Sequence, residues 1–146
     1  VKDAGAIKVS GQMTVHSPDG RPNQNLSGGL WLQNNVHFRD TAYRRLVIGY
    51  AWDKWWLQLV KGRGPDMRQS NDVIAELGPG STSNVNVELT LDADGQTGIV
   101  GIGNLVSSFR LEDSFYPPTG RAFQPSISSH ANSETILSKL EVSMPS

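Results

Sequence analysis

The chain has 146 residues, a formal net charge of −1 from 13 basic and 14 acidic side chains, and no cysteine. It has the length of one domain, enough to bury roughly 70% of its unfolded surface without staples. The charge balance, with Arg44-Arg45 and Lys61/Arg63 as the compact basic groups, argues against a nucleic-acid partner; no apolar run reaches the ~18 residues of a membrane span, and disulfides, thiolate metal sites and cysteine nucleophiles are excluded.

Charged residues make up 18% of the chain. This is below the roughly 25% usual in soluble domains, and Gly, Ser, Asn and Pro fill the difference. The mix predicts a turn-rich β protein, extracellular or secreted. The chain begins at Val1, without initiator Met or signal peptide, and is read as a processed protein or an excised domain, and in the functional reading as a module of a larger bacterial polypeptide.

In chain order, AIKVSGQMTVH alternates with Ile7, Val9, Met13 and Val15 apolar and Gly11 keeping the register. SPDGRPNQNLSGG reads as loop, and LWLQ at 30–33 as a short strand. YRRLVIGYAW sets Leu46, Ile48, Tyr50 and Trp52 on one face and Arg45, Val47 and Gly49 on the other. Asp53-Lys54 is the expected two-residue turn into WWLQLVK, where Trp55, Leu57 and Leu59 alternate against Trp56, Gln58 and Val60. GRGPDMRQSND reads as loop, VIAEL as a strand ended by Gly78-Pro79-Gly80. NVNVELTL places Val85, Val87, Leu89 and Leu91 inward before the turn signal Asp94-Gly95. TGIVGIGNLVSSFRL gives two strands hinged at Gly103-Asn104. Pro117 to Gly120 closes a loop, and AFQPSISSH and TILSKLEVSM are the final strands, with Pro125 marking an edge or bulge. Helix in SETILSKLEVSM is a minor alternative, because its alternation is imperfect. The spacing predicts a two-sheet antiparallel sandwich or a barrel.

The run VNVELTLDADGQTGIVGIGNLVSSFRL, followed by TGRAFQPSISSHANSETILSKLEVSM, resembles the closing half of concanavalin A-like jelly rolls, including laminin G-like modules. The resemblance is one of pattern. It implies an all-β jelly-roll sandwich, the last strand antiparallel beside the first, and a tendency toward sugar binding. It also implies a structural calcium as an option, with oxygen-rich turns at SPDGRPNQN and LDADGQ but no assigned ligands and no other cofactor. The glucanases of that superfamily carry a Glu-x-Asp-x-x-Glu strand. Here Glu88, Asp92 and Asp94 share a parity but not that spacing, and read as solvated acids at a hairpin. His16, His37 and His130 lack zinc spacing, and no serine lies in a nucleophile elbow.

The adjacent indoles Trp55 and Trp56 must diverge if their strand is regular. With Trp55 inward, Trp56 joins Gln58 and Arg45 on the opposite face, as a sugar platform requires: a flat apolar ring beside amide and guanidinium donors. Trp56, Tyr50, Trp52, Arg45 and Gln58 are the first candidates for ligand contact, flanked by Arg63 and Arg68 of the loop over 61–72. Trp31 with Gln33, Asn34, Asn35 and His37 forms a second polar-aromatic group. The reading is a non-catalytic carbohydrate-binding or recognition module with a glycan or protein ligand. A protein-interaction or adhesion module is the alternative, and a glycoside-degrading enzyme ranks third.

Overall fold

A computed structural model describes residues 6–18, 26–62, 70–117, 124–130 and 133–143. These form ten strands: β1 (Ile7–His16), β2 (Ser27–Gln33), β3 (Arg44–Ala51), β4 (Lys54–Lys61), β5 (Ser70–Gly78), β6 (Val85–Leu91), β7 (Thr97–Ile102), β8 (Leu105–Arg110), β9 (Gln124–His130) and β10 (Glu134–Ser143). They pair into two antiparallel five-stranded sheets, ordered β10-β1-β6-β7-β8 and β5-β4-β3-β2-β9. The protein is a β-sandwich, and no helix occurs among the described residues.

Period-two alternation builds the core. Ile7, Val9, Met13 and Val15 of β1 and Val85, Val87, Leu89 and Leu91 of β6 are buried. They meet Leu30, Leu32, Leu46, Ile48, Trp55, Leu57 and Leu59 from the second sheet. The predicted pairing of first and last strands is present, with Val9 opposite Val142 and Val15 opposite Thr135. Its register shifts between Ser10 and Gln12, and Lys139 on β10 has φ 54°. This bulge moves the inward face from Thr135 and Leu137 to Leu140. It accounts for the broken alternation that left helix as an alternative there. Pro125 lies on β9, an edge strand, where its missing N–H is tolerated.

Two buried polar residues, Asn34 and Thr135, tie elements of the sandwich together, and an exposed one, Asp94, fixes a turn. Asn34 donates to the carbonyls of Ala42 (2.8 Å) and Phe115 (2.9 Å) and accepts from the amide of Arg44 (3.1 Å). Thr135 donates from its hydroxyl to the Ser128 carbonyl at 2.7 Å, joining an edge strand of each sheet. Asp94 accepts from the amides of Gln96 (2.8 Å) and Thr97 (3.1 Å) and from the Thr97 hydroxyl (2.9 Å). Those backbone hydrogen bonds hold its carboxyl below the ordinary carboxylate range.

Three boundaries differ from the sequence reading. β2 starts at Ser27, so Ser27-Gly28-Gly29 is strand rather than loop. β5 starts at Ser70, which removes Ser70, Asn71 and Asp72 from the loop. The β3–β4 turn is Trp52-Asp53, with φ 55° and 62°, because Ala51 pairs with Lys54. Two successive positive φ values define the type I′ geometry that matches strand twist. Trp52 therefore leaves the strand face it was expected to share with Leu46 and Ile48.

Candidate functional site

The outer face of the β5-β4-β3-β2-β9 sheet is laid out by its register. One row runs Ser126, Trp31, Val47, Gln58, Val73 across the five strands. The row on one side is Ser128, Gly29, Gly49, Trp56, Glu76, and that on the other is Gln124, Gln33, Arg45, Val60, Asn71. Two glycines thus stand side by side at the centre, with Trp56 beyond one of them and Trp31 in the adjacent row. A cleft of about 370 Å³ lies here, lined by Trp31, Arg45, Gly49, Trp56, Gln58 and Asn71, among others.

Trp55 and Trp56 diverge across the pleat. Trp55 is 0% exposed in the core and donates its indole N–H to the Ser81 carbonyl at 3.0 Å. Trp56 is half-buried on the outer face, with its indole N–H donated to the Ala51 carbonyl at 2.8 Å. That bond leans the ring toward the hairpin tip. Lys54, paired with Glu76 at 2.6 Å, lies 5.9 Å from the Trp56 ring centre.

Arg45 is held from two sides. Its guanidinium lies 3.7 Å from the Trp31 ring centre, and it donates to the Tyr43 hydroxyl at 3.2 Å. Tyr43 in turn donates to the Gln33 side-chain oxygen at 2.9 Å. The Arg45 Nε is buried without a hydrogen-bond partner. Arg45 is the one charged residue among the described residues lining the cleft. A planar cation stacked on an indole, beside amide groups, offers directional donors next to an apolar ring face.

The structure brings Arg45, Trp56 and Gln58 together as the alternation predicts. It adds Trp31, which the sequence reading placed in a separate group. The missing signal was the register of β2 against β3, which sets Trp31 opposite Val47 and one row from Arg45. Asn34, from the same group, is a buried tie rather than a surface donor. Tyr50 also lines the cleft, although its strand parity is inward. Its ring packs edge-on against Trp55 at 5.2 Å, on the core side, and burial followed by the nearby Asp53 charge raises its phenol pKa. Trp52 sits on the turn and is 85% exposed. Arg63 and Arg68 lie outside the described residues.

The acids considered for catalysis are elsewhere. Glu88 is on the outer face of the other sheet, 3.1 Å from Lys8, and Asp94 caps its own turn. Among the described residues no three His, Asp or Glu side chains converge as metal ligands, and both Asp94 oxygens are taken by Gln96 and Thr97. Asp19, in the other candidate calcium turn, is outside the described residues. No helix of the described chain is long and apolar enough to cross a membrane.

Comparison with known proteins bears on the fold. No protein-family model and no curated protein matches the chain. Among solved structures, 94% of the chain aligns with 74% of a carbohydrate-binding module, CBM66, from Bacillus subtilis, at a TM-score of 0.50 and 14% identity. At that identity the likeness is one of architecture: both are β-sandwiches.

Proposed function

We propose that the protein is a non-catalytic carbohydrate-binding module that works outside the cell as part of a larger polypeptide. In this reading it belongs with the concanavalin A-like sandwiches. The observation that carries it is the cleft lined by Gly28 and Gly49 and flanked by Trp31 with its stacked Arg45 and by Trp56. A sugar ring laid there packs its C–H face on an indole while Arg45, Gln58 and Asn71 reach its hydroxyls. Glycine inside a strand often marks close approach by a ligand. The likeness in fold to a module that binds carbohydrate adds weight to the reading without extending any residue role to this chain. No pair of carboxylates faces the cleft among its described lining residues, which favours binding over hydrolysis. The reading requires no cofactor.

One observation favours a second reading, a protein-interaction module. Ile99 and Val106, 54% and 70% exposed, lie together on the outer face of the other sheet, an apolar pair open to a partner.

The test is tryptophan fluorescence titrated with a panel of neutral and acidic polysaccharides. Under the carbohydrate reading, at least one polysaccharide shifts the emission, and both Trp56→Ala and the cleft-filling Gly49→Leu remove the shift while the protein stays folded by circular dichroism. Silence of the wild-type protein across the panel overturns it.

A further inference from the structure

We infer that the binding surface does not end at the cleft but continues over Ala51 to a second subsite on the β3–β4 turn, where Trp52 receives a further unit of a neutral polysaccharide chain. This rests on the carbohydrate reading and adds the length and charge class of the ligand.

Three observations converge on the turn. First, a second hollow of about 390 Å³ is lined by Leu26, Ser27, Ala51, Trp52 and Asp53, and it shares Ser27 and Ala51 with the cleft. The two hollows therefore adjoin. From Gly49 on the cleft floor to Trp52 is three residues of extended chain, about 10 Å. The Trp56 indole, bonded to the Ala51 carbonyl, lies along the path between them.

Second, Trp52 is costly where it stands. Its φ of 55° falls in the left-handed region, an outlier for a bulky side chain, and type I′ turns favour Asn or Gly at such positions. At 85% exposure its ring gains little from burial. Folding alone gives no reason for tryptophan there, and strain kept against local preference is a feature of ligand-contacting positions.

Third, the neighbour of the ring is a carboxylate. Asp53 is exposed and forms no side-chain hydrogen bond or ion pair among the described residues. An indole face beside a free acceptor suits a polyhydroxylated ring and repels an anionic one. The cleft contributes a cation through Arg45 and the turn an anion through Asp53, so a chain crossing both is best neutral.

The experiment uses the whole chain in affinity electrophoresis through gels containing neutral hexose or pentose polysaccharides, with pectate and alginate as acidic controls. Wild type, Trp52→Gly, Trp52→Tyr and Trp56→Ala are compared, with the melting temperature of each. The inference expects Trp52→Gly to melt at the same temperature or about 2–4 °C higher, yet to bind the retained neutral polysaccharide roughly tenfold more weakly, with Trp52→Tyr restoring most of the retention. Retention of Trp52→Gly equal to wild type, with Trp56→Ala impaired, overturns the second subsite and leaves the cleft reading standing. Retention by the acidic gels alone overturns the charge class. Absence of retention for wild type in every gel overturns the carbohydrate reading and the inference with it.

Discussion

The outer faces of the two sheets are built from the same strand geometry and carry different side chains. On the β10-β1-β6-β7-β8 sheet, neighbouring side chains satisfy one another. Lys8 pairs with Glu88 at 3.1 Å, Gln12 donates to Asn86 at 3.2 Å, and His16 meets Glu134 at 2.7 Å. On the β5-β4-β3-β2-β9 sheet, two adjacent glycines break the cover between Trp56 and Ser128, and Arg45 stacks on Trp31 with no carboxylate partner among the described residues. The paired polar groups of the first face leave few spare donors, and what it exposes is the apolar pair Ile99 and Val106. A face with aromatic rings, spare donors and a gap in the middle has room for a guest.

Substitutions at four places sharpen or break this contrast. The largest effect separates the two adjacent indoles. Trp55→Ala, which empties part of the core, is expected to cost about 3–5 kcal/mol in urea unfolding. Trp56→Ala on the outer face should cost about 1 kcal/mol. Similar losses for both would mean that Trp56 is a structural ring and that the face is not free.

The two central glycines come next. A Cβ on Gly29 would lie 2.3 Å from the Ile48 carbonyl oxygen and 2.7 Å from the Gly49 Cα, so Gly29→Val displaces backbone. Its expected cost is about 3 kcal/mol. On Gly49 the nearest atom is a Val47 methyl at 3.4 Å, an ordinary contact. Gly49→Val should fold within about 0.5 kcal/mol of wild type while narrowing the cleft. Thermal melts of the pair decide whether one glycine serves the sheet and the other the cavity.

Asp94 gives a smaller effect, on the opposite sheet. Its folded carboxyl pKa lies below the ordinary value of 3.8, so its contribution is fully present above that value. The contribution is lost as pH falls through the depressed folded value. Asp94→Asn should lower stability at neutral pH, where the ionised carboxylate contributes, and flatten the acid end of the stability–pH curve below about pH 4. An unaltered acid limb would mean that other carboxylates govern acid unfolding.

The smallest effect is expected at the paired face. Glu88→Gln should change stability by less than about 0.5 kcal/mol, since both partners are exposed, and should leave glycan-induced fluorescence untouched. A loss of binding there would move the site to the other sheet.

How much was legible beforehand follows from the range of each interaction. Alternation is local, so β1, β4 and β6 yield their buried residues directly, and the divergence of Trp55 from Trp56 needs only a regular strand. The turn over Trp52 and Asp53 was misplaced by one residue because its chemistry is atypical: neither position holds the Gly or Asn that signals positive φ. Tyr50 follows its inward parity to meet Trp55 and still lines the cleft, a double role that parity alone does not show. Trp31 was separated from Trp56 because they are distant along the chain and joined only through the pairing of β2 with β3.

The sequence by itself determined the class of the fold and the face of each indole in β4, because a pleated strand imposes period two whatever its neighbours. Tertiary structure alone decided the cleft. Its lining gathers Gly28 of β2, Gly49 of β3 and Trp56 of β4, its walls need Trp31 near Arg45, and each of those contacts is set by long-range register between strands. Register is a property of paired backbones, and no single strand carries it.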